Sequence, residues 1–307
     1  MHVLIAPAAP RSAVSTRNAT ELARTPRRRL LAVAAAAVSL TTTMAGCALT
    51  PGTESRWQTG GESPTATISA TPSPTPTPTP TPVRRKTPVT VAIFGDSQGT
   101  ALYKTRPSSV SRSLSLSDRT ISACGILRGQ VVSRSGERFN LIGACPNWLN
   151  KWRTDAKAAK ADIALVVIGA WDVLDLKTET KTITFATPEW DTMFLDQLRA
   201  GLAAIRESGS QIALAELPCY RPHKTNPRPP GWWPERGEDD RIEHVNGLLR
   251  QVADGVHIFT VQPPSAFCTK KSVGDNPKNR YDGVHYLQPG AKIYFDAIIP
   301  QLLVLPT

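Results

Sequence analysis

The sequence predicts an α/β fold, a three-layer α/β/α sandwich around a central parallel sheet, and three observations carry that expectation. Continuous apolar runs at Val89–Phe94 and Asp162–Ile168 each stop at a glycine, as strands buried on both faces do. Other segments carry apolar residues at helical spacing, such as Phe194, Leu195, Leu198, Leu202 and Ile205. The two kinds of segment alternate along the chain, which places helices on both faces of a parallel sheet.

In chain order, the 307 residues begin with a segment that does not read as part of that sandwich. Arg27, Arg28 and Arg29 precede an apolar run from Leu30 to Met44, the anatomy of an export signal. The run is shorter and more polar than the roughly 20 apolar residues a spanning helix needs. Met44-Ala45-Gly46-Cys47 resembles a bacterial lipobox, in which small residues admit the peptidase and the Cys47 thiol takes the lipid. Residues 1–46 are therefore expected to be a lipoprotein-type signal peptide, and residues 47–87 a Pro/Thr-rich stalk ending in repeated Thr-Pro pairs. Alternating proline fixes φ and removes donors, favouring extended polyproline II. The expected location is the outer face of a cell membrane, with the lipid at Cys47 as anchor.

Residues 88–307 form the expected folded domain. After the strand Val89–Phe94, a short strand is expected near Thr120–Ser122 and a helix over Trp148–Lys160. Asp162–Ile168, Gln211–Leu217 and Val256–Val261 are further strands; Asp191–Ser208, Asp240–Ala253 and Gln288–Leu303 are helices, the last with Pro289 in its first turn. With Cys47 set aside, four cysteines remain in an exported chain, which favours two disulfides. Four allow three connectivities; pairing within each half of the domain gives Cys124–Cys145 and Cys219–Cys268. No Cys/His spacing suggests zinc, and no cofactor is expected.

Charge narrows the function. The chain carries a formal +11, yet residues 1–46 hold six Arg and one Glu, and residues 47–86 four basic and two acidic residues. The remaining 221 residues hold 26 basic and 22 acidic side chains, an ordinary surface. Nucleic-acid binding, and polyanion binding in general, therefore rests on little in the folded part.

Chemistry in a parallel α/β sheet gathers beyond the carboxyl ends of its strands. Two expected strands stop at Gly95-Asp96-Ser97 and at Gly169-Ala170-Trp171-Asp172, and Asp282-Gly283-Val284-His285 stands just before the last helix. A serine hydroxyl is a weak nucleophile until a base takes its proton. His285 is poised for that near neutral pH. Asp282, three residues earlier, can reach the other imidazole nitrogen and fix its tautomer. His223, His244 and His257 have no such partner at comparable spacing.

These blocks resemble the SGNH (GDSL-type) hydrolase family over roughly residues 88–305. Gly95-Asp96-Ser97 matches the family's nucleophile block and Asp282-Gly283-Val284-His285 the block supplying Asp and His. Gly125-Ile126-Leu127-Arg128-Gly129, Gly169-Ala170-Trp171-Asp172-Val173-Leu174-Asp175 and Leu217-Pro218-Cys219 are similar to actinobacterial SGNH domains found alone or fused to membrane acyltransferases. The resemblance implies a flavodoxin-like sandwich and an exported serine esterase or deacylase acting on O-acyl groups of envelope glycans or lipids. It implies Ser97, Asp282 and His285 as the triad, and the amides of Ser97 and Gly125 as oxyanion donors. The family's third donor is an asparagine, and here that position is Trp171, an oxyanion-hole candidate whose indole N–H can donate but cannot copy an amide's geometry. Three readings stay open: Trp171 fills a substrate pocket, activity is low, or the site binds without turnover. Asp172 is expected in the substrate-binding set, orienting neighbouring groups, with a solvated or helix-capping carboxylate as the alternative. Trp232 and Trp233, in the proline-rich loop Pro218–Asp240, are expected either to touch substrate or to plug the loop onto the domain. An acyltransferase using the same site, fed by a separate membrane partner, and a non-catalytic envelope-binding lipoprotein are the alternatives.

Overall fold

The computed structural model describes residues 84–223, 233–253 and 257–305. Strand β1 (Val89–Gly95) leads to helix α1 (Ser97–Thr105) and strand β2 (Leu114–Asp118). A small hairpin, β3 (Gln130–Val132) and β4 (Arg138–Asn140), runs through the single turn α2 (Leu141–Ala144) into α3 (Trp148–Ala159) and β5 (Ile163–Val167). Two short strands, β6 (Asp175–Lys177) and β7 (Thr182–Ile183), precede α4 (Pro188–Arg206), β8 (Gln211–Ala215) and α5 (Asp239–Val252). The chain closes with β9 (Ile258–Val261), the single turns α6 (Ala266–Thr269) and α7 (Lys271–Gly274), and α8 (Gln288–Leu302).

Five strands pair in parallel in the order β2-β1-β5-β8-β9. Counted among themselves they run 2-1-3-4-5, the flavodoxin-like doubly wound order, so the expected α/β/α sandwich is the observed fold. Successive strand residues face opposite sides of a sheet. Ala92 and Phe94 accordingly join one core layer with Trp148, Trp152 and Leu198, while Val91 and Ile93 join the other with Leu102, Phe295 and Ile298. Trp148 and Trp152, four residues apart on α3, meet edge to face at 4.9 Å. They press on Gly201 of α4, where a Cβ would come within 2.7 Å of Trp148. Both expected disulfides, Cys124–Cys145 and Cys219–Cys268, are formed.

Local chemistry sets the element ends. Thr187 caps α4, accepting the Trp190 amide, and Pro188 occupies the first helical position, so the helix starts earlier than the apolar spacing suggested. The short strand expected at Thr120–Ser122 lies instead at Leu114–Asp118, where only Leu114 and Leu116 mark an inward face at the sheet edge. The last strand is described over Ile258–Val261; Val256 lies outside the described residues. Arg85 already donates its amide to the Leu303 carbonyl at 2.9 Å, just ahead of the expected boundary at residue 88.

A second sheet was not expected. It is antiparallel, in the order β4-β3-β6-β7, from strands of two or three residues, too short to show a period in sequence. No described helix is long and apolar enough to cross a membrane.

Candidate active site

In the 2-1-3-4-5 order the chain leaves β1 outward to β2 and returns inward to β5, so a crevice opens between the carboxyl ends of β1 and β5. Gly95 ends β1 at φ +119°, and a Cβ there would lie 1.8 Å from the Val167 carbonyl oxygen of β5; only glycine passes. Asp96 then caps α1, its carboxylate accepting the Gln98 amide at 2.7 Å. Ser97 is thereby the first residue of α1, where free amides and the helix dipole favour negative charge.

The C-terminal block arrives from the far end of the chain. Gly283 takes φ +79°, and a Cβ there would lie 1.6 Å from the Arg221 carbonyl oxygen. That tight turn folds Asp282 back so that its Oδ1 accepts the amides of Val284 at 2.9 Å and His285 at 2.7 Å. Its Oδ2 lies 2.6 Å from His285 Nδ1, and His285 Nε2 lies 2.7 Å from Ser97 Oγ. The turn is held in place from outside: Arg221 and His223 donate their amides to the carbonyls of Gly283 and Asp282, and Arg280 donates to the Cys219 carbonyl at 2.6 Å. The ring of Tyr281 stacks on His285 with centroids 5.7 Å apart.

Electrostatics differentiate three carboxyls here. Burial pushes Asp282 up, but the hydrogen bond and charge of His285 and the two turn amides outweigh it, holding it below the ordinary range. Asp96 is fully buried and pushed up to about 6, against the pull of the Gln98 amide, His285 and Arg236. Asp172 is also fully buried and pushed up to about 7, its two amide hydrogen bonds opposing and the charge of Asp96 adding to the rise.

Asp172 departs from its expected place at the substrate. Its carboxylate accepts the Ile126 amide at 2.9 Å and the Leu127 amide at 3.1 Å, so it grips the loop that follows Gly125. A Cβ on Gly125 would lie 3.0 Å from Asp172 Oδ1, 3.1 Å from Trp171 Cβ and 2.8 Å from Leu141, so the loop closes down only because residue 125 is glycine.

Trp171 also turns inward, at 7 % exposure. Phe139 of β4 stacks on its ring at 4.3 Å, Trp233 meets it edge to face at 5.6 Å, and the Arg236 guanidinium lies 4.1 Å from its centroid. Trp171 fills the interior of the protein rather than a substrate pocket. Trp233, 1 % exposed, takes the plugging role and not the solvent-facing one, because the indole of Trp171 offers it an apolar wall. Trp232 lies outside the described residues. Among the other histidines, His244 pairs with Asp191 at 2.7 Å on the helical face, away from the relay.

Sequence reading missed Arg236, Glu235 and the role of Asp96. Glu235 accepts the Arg134 amide at 2.5 Å and Glu238 pairs with the Arg134 side chain, so the short 3-10 turn Pro234–Gly237 is clasped to the β3–β4 turn. That clasp lays Arg236 over Trp171. No period or motif in a proline-rich loop marks such residues; the adjacent Glu235-Arg236 charges beside buried Trp233 were the one available sign.

The fold and the relay define a class: a Ser-His-Asp site on a flavodoxin-like sheet, with the two blocks that resemble the SGNH hydrolases joined in one hydrogen-bonded chain. A family model described as "Protein of unknown function (DUF459)" matches residues 90–230. No curated protein matches the chain. Among solved structures it is similar to a GDSL-like lipase from Bacteroides thetaiotaomicron, at 15% identity and a TM-score of 0.47, over 70% of this chain and 87% of that one. It is also similar to the periplasmic domain of a lipopolysaccharide acetyltransferase from Salmonella ser. Paratyphi A, at 15% identity and a TM-score of 0.45, over 69% and 83%. An acetyl xylan esterase matches at 13% identity and a TM-score of 0.43, over 70% and 100%.

Proposed function

We propose that this chain is a serine esterase that removes O-acyl groups from cell-envelope glycans or lipids. The observation that carries the reading is the unbroken relay Ser97 Oγ to His285 Nε2 to Asp282 Oδ2, at 2.7 and 2.6 Å. Ser97 Oγ bonds to the acyl carbon as its proton passes to His285 Nε2. The tetrahedral oxyanion faces the amides of Ser97 and Gly125. Collapse breaks the ester C–O bond, and His285 returns the proton to the departing alcohol. Water, deprotonated by His285, then attacks the acyl-enzyme and releases the acid and free Ser97. Asp282 holds the imidazole tautomer and stabilises the imidazolium throughout. A sugar hydroxyl in place of water makes the same cycle an acyl transfer.

The signal-like segment before Cys47 and the Thr-Pro stalk support a lipid-anchored protein on the outer membrane face. Globomycin treatment or Cys47→Ala is expected to release it from membranes; unchanged partitioning would count against the anchor. For the chemistry, a fluorophosphonate probe and short-chain aryl esters form the test. Ser97→Ala is expected to abolish labelling and turnover, and Asp282→Asn to cut kcat by about 10⁴. Turnover unaffected by Ser97→Ala would sink the esterase reading.

A further inference from the structure

We infer that the outer face of the small antiparallel sheet is a binding groove for an anionic glycan chain. The inference deepens the esterase reading and rests on it in one respect, that this chain carries the acyl group presented to Ser97. The groove holds about 600 Å³. Register places Asn140, Gln130 and Lys177 in one row across β4, β3 and β6. Arg138 lies two residues from Asn140 on the same face of β4, and both are exposed while Phe139 between them turns inward. Arg128 enters from the loop before β3, and Ile142, 47 % exposed, adds an apolar shelf.

Charge, hydrogen-bonding groups and a single apolar shelf together fit a sugar polymer bearing acid groups. Among the lining residues three cations, Arg128, Arg138 and Lys177, face one acid, Glu179. None of the three forms an ion pair with the described residues, whereas their neighbours Arg134 and Lys181 are paired with Glu238 and Glu189. Arg128 donates instead to the Cys145 carbonyl at 3.1 Å and feels the buried Asp172 through space, with no direct ion pair. Gln130 and Asn140 supply amides for hydroxyls, and Ile142 a surface for the apolar face of a pyranose ring. The concave shape and lone exposed apolar residue distinguish it from a membrane-seated face.

The groove's walls connect to the Trp171-Asp172 pair that follows β5. Arg128 directly continues the Gly125–Leu127 loop that Asp172 grips, and Phe139, between Arg138 and Asn140, stacks on Trp171. Asp172 in turn lies within charge range of Asp96, the residue before Ser97. The near-neutral domain surface is no obstacle, because local concentration of unpaired cations sets binding, not net charge.

The test measures binding of the full chain to three unacylated polymers by affinity electrophoresis: polygalacturonate, dextran phosphate and neutral dextran. At about 50 mM NaCl at least one anionic polymer is expected to bind about ten-fold more tightly than dextran, and to weaken steeply toward about 500 mM. Which of them binds tells carboxylate from phosphate. Arg138→Glu/Lys177→Glu is expected to lose at least about ten-fold, and the single Arg138→Gln and Lys177→Gln variants about three-fold each, with melting curves confirming the fold. Lys151→Glu/Lys292→Glu, the same charge change on helices α3 and α8, is expected to bind within about two-fold of the original. Binding equal to dextran, equal loss in this control, or binding to phosphatidylglycerol vesicles alone would overturn the inference. Because the polymers carry no acyl ester, loss of the esterase reading leaves the result intact: groove binding without probe labelling would give a glycan-binding protein.

Discussion

Asp172 and Ile126, 46 residues apart, are joined by a 2.9 Å hydrogen bond from the Ile126 amide to a buried carboxylate. The same carboxylate takes the Leu127 amide, so one side chain holds the loop that follows Gly125. Asp172 touches no reacting atom in the proposed cycle. It is a positioning residue, and positioning an oxyanion donor affects the transition state more than the bound ester.

Asp172→Asn keeps one acceptor oxygen and sets an NH2 group against a donor. The expected outcome is a fall in kcat of about 10- to 100-fold with KM nearly unchanged, since losing one such donor outright costs about 10²–10³. Steady-state kinetics on an aryl acetate decides it; a rise in KM alone would refute the assignment.

Stability should depend on pH through the two buried carboxyls. Asp96 and Asp172 hold their protons more tightly folded, at about 6 and about 7, than at the ordinary 3.8. Their contribution is complete below the unfolded value and is lost as pH rises through the folded ones. Tm is therefore expected to fall between about pH 5 and 7, and Asp172→Asn to flatten that slope. Asp282 acts in the opposite sense, its contribution vanishing as pH falls below the ordinary carboxylate range. A Tm that climbs steadily from about pH 5 to 7 would contradict the assigned burial.

Placing the asparagine of the SGNH hydrolases at position 171 should not create a third donor. Trp171→Asn empties the space between Phe139, Trp233 and the Arg236 guanidinium. Loss of a buried aromatic of this size costs about 3–5 kcal/mol. Urea unfolding is expected to show that loss with no gain in kcat; a faster enzyme of undiminished stability would mean the indole is dispensable.

The two disulfides should separate by function. Closing 21 and 49 residues constrains the unfolded chain by about 3 and about 4 kcal/mol respectively. Cys124–Cys145 also adjoins Gly125 and fixes Arg128, so Cys124→Ser/Cys145→Ser is expected to lower kcat beyond its effect on Tm. Comparing both double variants at a temperature where each is folded reads this directly.

Much of this was legible in the sequence because the signals are strong and local. Val89–Phe94 and Asp162–Ile168 announce buried parallel strands, and a glycine at each end marks where the backbone must turn. Ser97, Asp282 and His285 were legible as a set because chemistry constrains both type and spacing. The small sheet was not: strands as short as Thr182–Ile183 carry too few residues for alternation to register. Nor was the inward turn of Asp172 and Trp171, since nothing in Gly169-Ala170-Trp171-Asp172 says whether a side chain meets substrate or its own fold. Tertiary partners decided that, and they come from Ile126, Phe139 and Trp233.

The relay spans 188 residues, from Ser97 to His285, and the last strand of the large sheet ends at Val261. A ribosome or export channel that delivers the chain from its N-terminus therefore releases every strand of that sheet before it releases the base. The nascent domain carries its serine through most of its emergence with no partner to activate it. In the proposed cycle Ser97 gains its base only when the Asp282–His285 turn docks under Arg221, so activation waits for the last part of the domain to fold.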